Sequence, residues 1–160
     1  MYEDTPDLER RVTDDHRRRA GELMSAVERG DCGALRALLE GVEAEEDDGL
    51  VEPGTASEVA TYLVLSAAQL GQAGVIGVLS EFDADLEEAD GVRKGTPLMH
   101  AANNGEAAAV RALVECGADV EATDDNGYTA LMVAVFSDRA SAAEALLEGG
   151  AAVDALDRAG

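Results

Sequence analysis

Two histidines, two cysteines and a few carboxylate- or glycine-rich stretches are the places where chemistry would be sought. Catalysis needs a nucleophile, a base and an orienting group in reach of one another. His16 stands in the charged run DDHRRR, where a solvated imidazole is expected. His100 falls at a variable position of a short helical stretch and reads as a partly buried, structurally satisfied histidine. Cys32 and Cys116, 84 residues apart, form neither a metal-ligand nor a redox spacing and read as free thiols. The stretch GQAGVIG, Gly71 to Gly77, lacks the lysine and the strand–helix setting of a phosphate loop. Asp124-Asp125-Asn126-Gly127 lacks the alternating ligands and closing glutamate of a calcium loop, so it reads as turn chemistry. The carboxylates of Glu43 to Asp48 would hold a divalent cation only weakly, and a solvated loop is the simpler reading. No catalytic, cofactor-binding or metal-ligating residue is expected, and the chain is read as a non-enzyme.

Composition narrows the class further. The chain has 160 residues, 46% hydrophobic but only 3% aromatic. A core of Ala, Leu and Val suits closely packed helices and argues against a β-sandwich, which favours aromatic and β-branched residues. No apolar run approaches the roughly 20 residues of a membrane helix. The opening MYEDTPDLERR has neither the basic nor the apolar region of a secretory signal, so a cytoplasmic location is expected. Twelve basic residues against 34 acidic ones give a net charge of −22. A field of this sign repels nucleic acid and anionic membrane and attracts a basic partner. A salt-adapted or high-GC host accounts for the same acidity without a specific partner, and both readings stand at this stage.

The elements that would position these residues follow a repeat. Gly117, Ala118, Val120 and Ala122 recur 33 residues later as Gly150, Ala151, Val153 and Ala155. Thr96, Leu98, Met99 and Ala101 recur at the same step as Thr129, Leu131, Met132 and Ala134. Backwards the spacing loosens: Ala101, Ala102 and Gly105 are preceded at 34 by Ala67, Ala68 and Gly71, and those at 41 by Ala26, Val27 and Gly30. Leu38, Leu79, Leu113 and Leu146 keep the same three steps. An acidic insertion loop over 43–58 accounts for the long first step. Each unit reads as two short helices. In the third, Thr96-Pro97 supplies an N-cap and a first-turn proline, and Gly105 closes the first helix. Val110, Leu113 and Val114 then line one side of a second helix over about Glu106 to Cys116. A polar stretch from Ala118 to Gly127 makes the turn. Such a unit cannot bury its own apolar stripe, so several must stack.

The segment TPLMHAANNGEAAAVRALVECGADVEA, Thr96 to Ala122, resembles the ankyrin repeat, whose pattern is T-P-L-H-x-A-A-x-x-G followed by V-x-x-L-L-x-x-G-A-D-V-N-A. The resemblance implies an all-α ankyrin-repeat solenoid of helix-turn-helix units joined by short hairpin-like turns. Its units fall at about 20–42, 61–89, 94–123 and 124–156. An N-terminal capping segment is expected over 1–19, with Thr5-Pro6 as a helix start and Leu8 and Val12 on one side. Three departures stand out. Asp83 replaces a terminal glycine and Asp138 a mid-unit glycine. Met99 and Met132 stand where the family has His, whose hydrogen bond holds the turn, so looser turns are expected. The last helix pair keeps Leu131, Val135, Ala143, Leu146 and Leu147 apolar where a polar capping unit would be expected. That edge reads either as a truncation or as a surface covered by another chain, with homodimerisation through it the expectation.

Partners of ankyrin-type arrays lie on the concave face, made by turn tips and the exposed ends of the first helices. Carried over residue by residue, this implies Val92, Arg93 and Gly95, then Asp125, Asn126 and Tyr128 at turn tips. At helix ends it implies Gln69 and Leu70, Asn103 and Asn104, Phe136 and Ser137. Tyr128 and Phe136 are the strongest candidates, because aromatic anchors commonly dominate interface energetics; Phe136 folding over the open edge is the competing reading. Arg93 and Lys94 form an isolated basic spot. The function implied is a protein-interaction module for a partner with a basic surface. The alternative is an acidic stoichiometric inhibitor, an immunity protein, antitoxin or nucleic-acid mimic, acting on a basic enzyme.

Overall fold

The structure is a computed structural model and describes residues 18–46 and 56–154, except for the side chains of 43–46. The capping segment up to residue 17 with His16, the core of the acidic insertion (47–55) and residues 155–160 lie outside the described residues.

Every described element is a helix or a turn. The helices run in pairs: α1 (residues 18–29) with α2 (Cys32–Glu46), α3 (Ala56–Gln69) with α4 (Ala73–Glu81), α5 (Pro97–Asn104) with α6 (Ala107–Glu115), and α7 (Ala130–Phe136) with α8 (Ala140–Glu148). First helices pack on first helices, α3 on α5 and α5 on α7; second helices do the same, α2 on α4, α4 on α6 and α6 on α8. This is the expected all-α solenoid. The stretch expected as an insertion loop over 43–58 differs at both ends: α2 continues through residue 46 and α3 already begins at Ala56. The glutamates of 43–46 are good helix formers, so the helix outruns the repeat before the Gly/Pro segment can stop it.

The short helices are set by their ends. Thr96 and Thr129 accept the backbone N–H of Met99 and Met132 on their side-chain oxygens, each at 3.4 Å. Pro97 occupies the first turn of α5, where its missing N–H leaves nothing unsatisfied. Gly105 ends α5 in the left-handed conformation at φ 81. Asp83 and Asp138 stand at the two positions where the pattern would have glycine, and both adopt that conformation, at φ 55 and 56. The turn geometry is therefore kept where the residue type is not.

Small residues on the inner helices let neighbours approach: Ala67, Ala68, Ala101, Ala102 and Ala134 are fully buried. Leu79, Leu113 and Leu146 fill the space under the outer helices, also at 0% exposure. Truncating a leucine buried this completely costs roughly 2–5 kcal/mol. Leu146 thus belongs to the core, which corrects its place on the apolar edge of the last helix pair, whereas Leu131, at 9%, lies at the core's margin. Leu38, first in the leucine column, is only half-buried, and Leu39 next to it is buried instead. No described unit precedes α2 to cover the Leu38 side.

Candidate functional site

The site is built from the two features that each unit contributes to one side of the stack, the turn before its first helix and the end of that helix. In unit three the turn runs from Asp90 to Thr96 and is closed by the Asp90 N–H donating to the Gly95 carbonyl at 3.0 Å. In unit four Asp124 donates to the Tyr128 carbonyl at 3.1 Å. Each turn is organised by the side chain of its leading aspartate. Asp90 Oδ1 accepts from the backbone of Val92 and Arg93 at 3.0 and 2.8 Å. Asp124 Oδ1 accepts from Asn126 and Tyr128 at 2.8 and 2.9 Å. An aspartate carboxylate that caps its own turn in this way competes well with solvent, being short and charge-assisted.

The expectation of looser turns needs correction in unit three. His100, one residue after the position where the family has histidine, places Nε2 2.7 Å from Asp90 Oδ2. A carboxylate can only accept, so Nε2 carries the proton. Nδ1 is then the acceptor for the Gln69 amide at 3.4 Å. The Arg93 backbone N–H, foremost, holds the Asp90 carboxyl down at about 2; partial burial opposes it, and His100 and the Val92 N–H add to it. The histidine is thus a half-buried structural tie between the end of α3, helix α5 and the turn, and no nucleophile lies among its hydrogen-bond partners.

The helix ends are knitted from unit to unit. Asn104 Nδ2 donates to the Gln69 carbonyl at 3.0 Å. Asn103 accepts twice from unit four, on Oδ1 from the Ser137 hydroxyl at 2.8 Å and on its carbonyl from Arg139 Nε at 3.0 Å. The turn tips are joined as well. The Asp125 N–H donates to the Arg93 carbonyl at 3.0 Å, and Lys94 Nζ lies 3.7 Å from Asp125 Oδ1. The structure therefore places Gln69, Asn103 and Asn104 as one strip of exposed amides and Arg93, Asp125 and Asn126 as an exposed row of turn tips beside it. Leu70 is exposed just beyond α3.

The two aromatic candidates meet each other in the last described unit. The Tyr128 and Phe136 rings meet edge to face with centroids 5.4 Å apart. Tyr128 is half-buried, whereas Phe136 is 72% exposed. Phe136, one repeat step on from Asn103, also lines a cleft in the last described unit with Leu131, Met132, Val135, Leu147 and Val153. Sequence reasoning missed Tyr62, the most exposed aromatic among the described residues at 76%. It also missed two carboxylate rungs: Glu87 accepts from the Asp119 N–H at 2.8 Å and Glu121 from the Ala152 N–H at 2.7 Å. Their 34-residue separation was legible as a signal.

Helix pairs in register, turns capped by aspartate and inner helices of alanine define an ankyrin-type repeat protein. The chain belongs to this family: the family described as Ankyrin repeats (3 copies) matches residues 63–157, more than half its length. It is similar to the ankyrin repeat and SAM domain-containing protein 6 of Rattus norvegicus, 34% identical over 118 residues, which cover 74% of this chain and 12% of that protein. The Mus musculus protein of the same name is 33% identical over the same length and shares. Ankyrin repeat protein nuc-2 of Neurospora crassa is 33% identical over 70 residues, 44% of this chain and 6% of that one. The chain thus spans about an eighth or less of the length of these relatives. Ankyrin repeats are protein-interaction modules, and none of the described helices is long and apolar enough to cross a membrane.

Proposed function

We propose that this chain acts without catalysis, binding a basic partner protein through the turn tips and inner helix ends. The observation that carries the reading is the amide strip Gln69–Asn103–Asn104. It is exposed, yet locked between units by hydrogen bonds, so its donors and acceptors are presented without an ordering cost. Carboxylates border it on the turns, at Glu87, Glu88, Asp119, Glu121 and Asp125, and these attract a cationic surface.

The spread of acids supports an ordinary interaction module over an inhibitor that mimics nucleic acid. Neither α5 nor α7 carries an Asp or Glu, whereas the outer helices carry Glu40, Glu81, Glu115 and Glu144. A mimic needs its charge gathered in the binding groove.

Affinity capture from the source organism tests the reading, using the full chain at low and high salt. Gln69→Arg and Asp125→Arg are expected to abolish capture of a salt-sensitive partner, while Glu115→Arg on the outer helix retains it. Equal loss with all three, or no partner at either salt, overturns it.

A further inference from the structure

The half-buried pair of Asp90 and His100 is joined to the amide strip through the far side of the imidazole. Both carboxylate oxygens of Asp90 are engaged: Oδ1 accepts from Val92 and Arg93, and Oδ2 from His100 Nε2 at 2.7 Å. The other ring nitrogen, Nδ1, meets the Gln69 carboxamide at 3.4 Å. With the proton on Nε2, Nδ1 offers a lone pair, and the carboxamide turns its nitrogen inward to donate to it. The Gln69 side-chain oxygen is then the atom left to the strip.

A second proton on the ring reverses that requirement. Histidine is the side-chain type whose ordinary titration falls between about pH 5 and pH 8, and the His100 side chain, at 27% exposure, is within reach of solvent. The Asp90 carboxyl, held down at about 2 chiefly by the Arg93 N–H, stays ionised over that range. The Nε2 bond to Oδ2 is therefore kept and becomes charge-assisted. A Cβ on Gly95 would lie 3.1 Å from Asp90 Oδ2 and 3.2 Å from His100 Nε2, so the pair is packed against the turn backbone. The change falls on Nδ1, which becomes a donor facing the donor of Gln69. Rotation about the last torsion of Gln69, which is broad and roughly two-fold, removes the conflict by bringing its oxygen inward. Asn104 meanwhile holds the Gln69 main-chain carbonyl at 3.0 Å.

The charged groups around the pair leave this response to His100. Among the described residues, the ring's hydrogen bonds go to Asp90 and Gln69. Glu87 and Glu88 lead into the turn, which carries Arg93 and Lys94, and Lys94 lies 3.7 Å from Asp125 of the next turn. Helix α3 has Glu58 and Tyr62 in its first half, α5 has no ionisable residue besides His100, and α7 has none. Arg111 and Glu115 of α6 and Glu144 and Glu148 of α8 are exposed. The contact is also particular to the joint between units two and three, since one repeat away the position of His100 holds Ser66 or Val133.

We propose that His100 is a proton switch on the strip: its second proton turns the Gln69 carboxamide over and replaces an outward acceptor by an outward donor. For binding, the consequence rests on the strip being the partner face. A cationic partner then meets an acceptor at Gln69 above the imidazole's titration and a donor below it.

The test is side-chain NMR of the full chain, with no partner present, between about pH 8 and about pH 5. His100 is expected in the Nε2–H form at high pH, with a nuclear Overhauser contact between the Gln69 amide protons and the His100 ring proton beside Nδ1. That contact should disappear along the His100 titration, while the Asn103 and Asn104 amides stay unchanged. His100→Gln keeps a donor toward Asp90 without titrating, and should leave the Gln69 amide constant across the range. Gln69→Glu alters only an exposed side chain and should move the His100 titration to higher pH, because a carboxylate accepts from Nδ1–H and favours the charged ring. A contact that persists once the ring is charged, an Nδ1–H form at high pH, or an unmoved titration in Gln69→Glu overturns the proposal. The measurement involves no partner, so its failure leaves the reading of the strip standing, and failed capture leaves the switch standing.

Discussion

Single residues hold the turns in conformations that side chains resist. Lys94 sits at φ 56 where the next unit has Gly127 at φ 82. The left-handed region costs an ordinary side chain roughly 1–2 kcal/mol, whereas aspartate and asparagine visit it more readily. Lys94→Gly removes that strain and loses only an exposed ion pair of little value, against roughly 0.5–1 kcal/mol of added chain entropy. Urea unfolding should therefore find Lys94→Gly more stable than the parent by about 0.5–1 kcal/mol, and Asp138→Gly closer to neutral. Asp90 sets a second expectation at this scale. Its folded pKa lies at about 2, below the ordinary 3.8. Stability from a depressed carboxylate is complete above the ordinary value and is lost as the pH falls from there through the folded one. The stability gap between the parent and Asp90→Asn should thus be widest near neutrality and close between about pH 4 and pH 2. A gap that stays constant across that window would remove the turn carboxylate from the account.

Helices of seven to nine residues, as α4 to α8 are, are too short to persist alone in water. Packing and end-capping supply what propensity lacks. Thr96 and Thr129 are buried caps, at 6 and 3% exposure, so replacing either strands a backbone donor away from solvent. Thr96→Ala and Thr129→Ala should each lower unfolding free energy by about 1 kcal/mol, within a 0.5–2 range. Denaturant midpoints would show it, and serine at the same positions should recover most of the loss. The caps, Pro97, Gly105 and the apolar spacing of α6 were all legible in the sequence, since each is a local rule. The length of α3 was not, because nothing local marks where a helix overruns its repeat.

Across the whole stack, each unit is stable only through its neighbours. Unit three is covered on both sides, while unit four leaves Val135 and Leu147 in water. Amide exchange should be slowest in α5 and α6 and faster in α7 and α8, since local opening of an end unit uncovers less apolar surface. Uniform protection along the stack would contradict that gradient. The sequence by itself determined the repeat, its pairs of helices and the acidic charge, because periodicity and capping are written in neighbouring residues. It also marked Gln69, Asn103 and Asn104 as exposed helix ends. Only the tertiary structure decided that these amides are tied to one another, that His100 reaches back to Asp90, and that Phe136 meets Tyr128 edge to face. Those are contacts across a turn within one unit or between neighbouring units, over separations of ten to more than thirty residues. They depend on how a turn is set against its helix and one helix pair against the next, which no local pattern encodes.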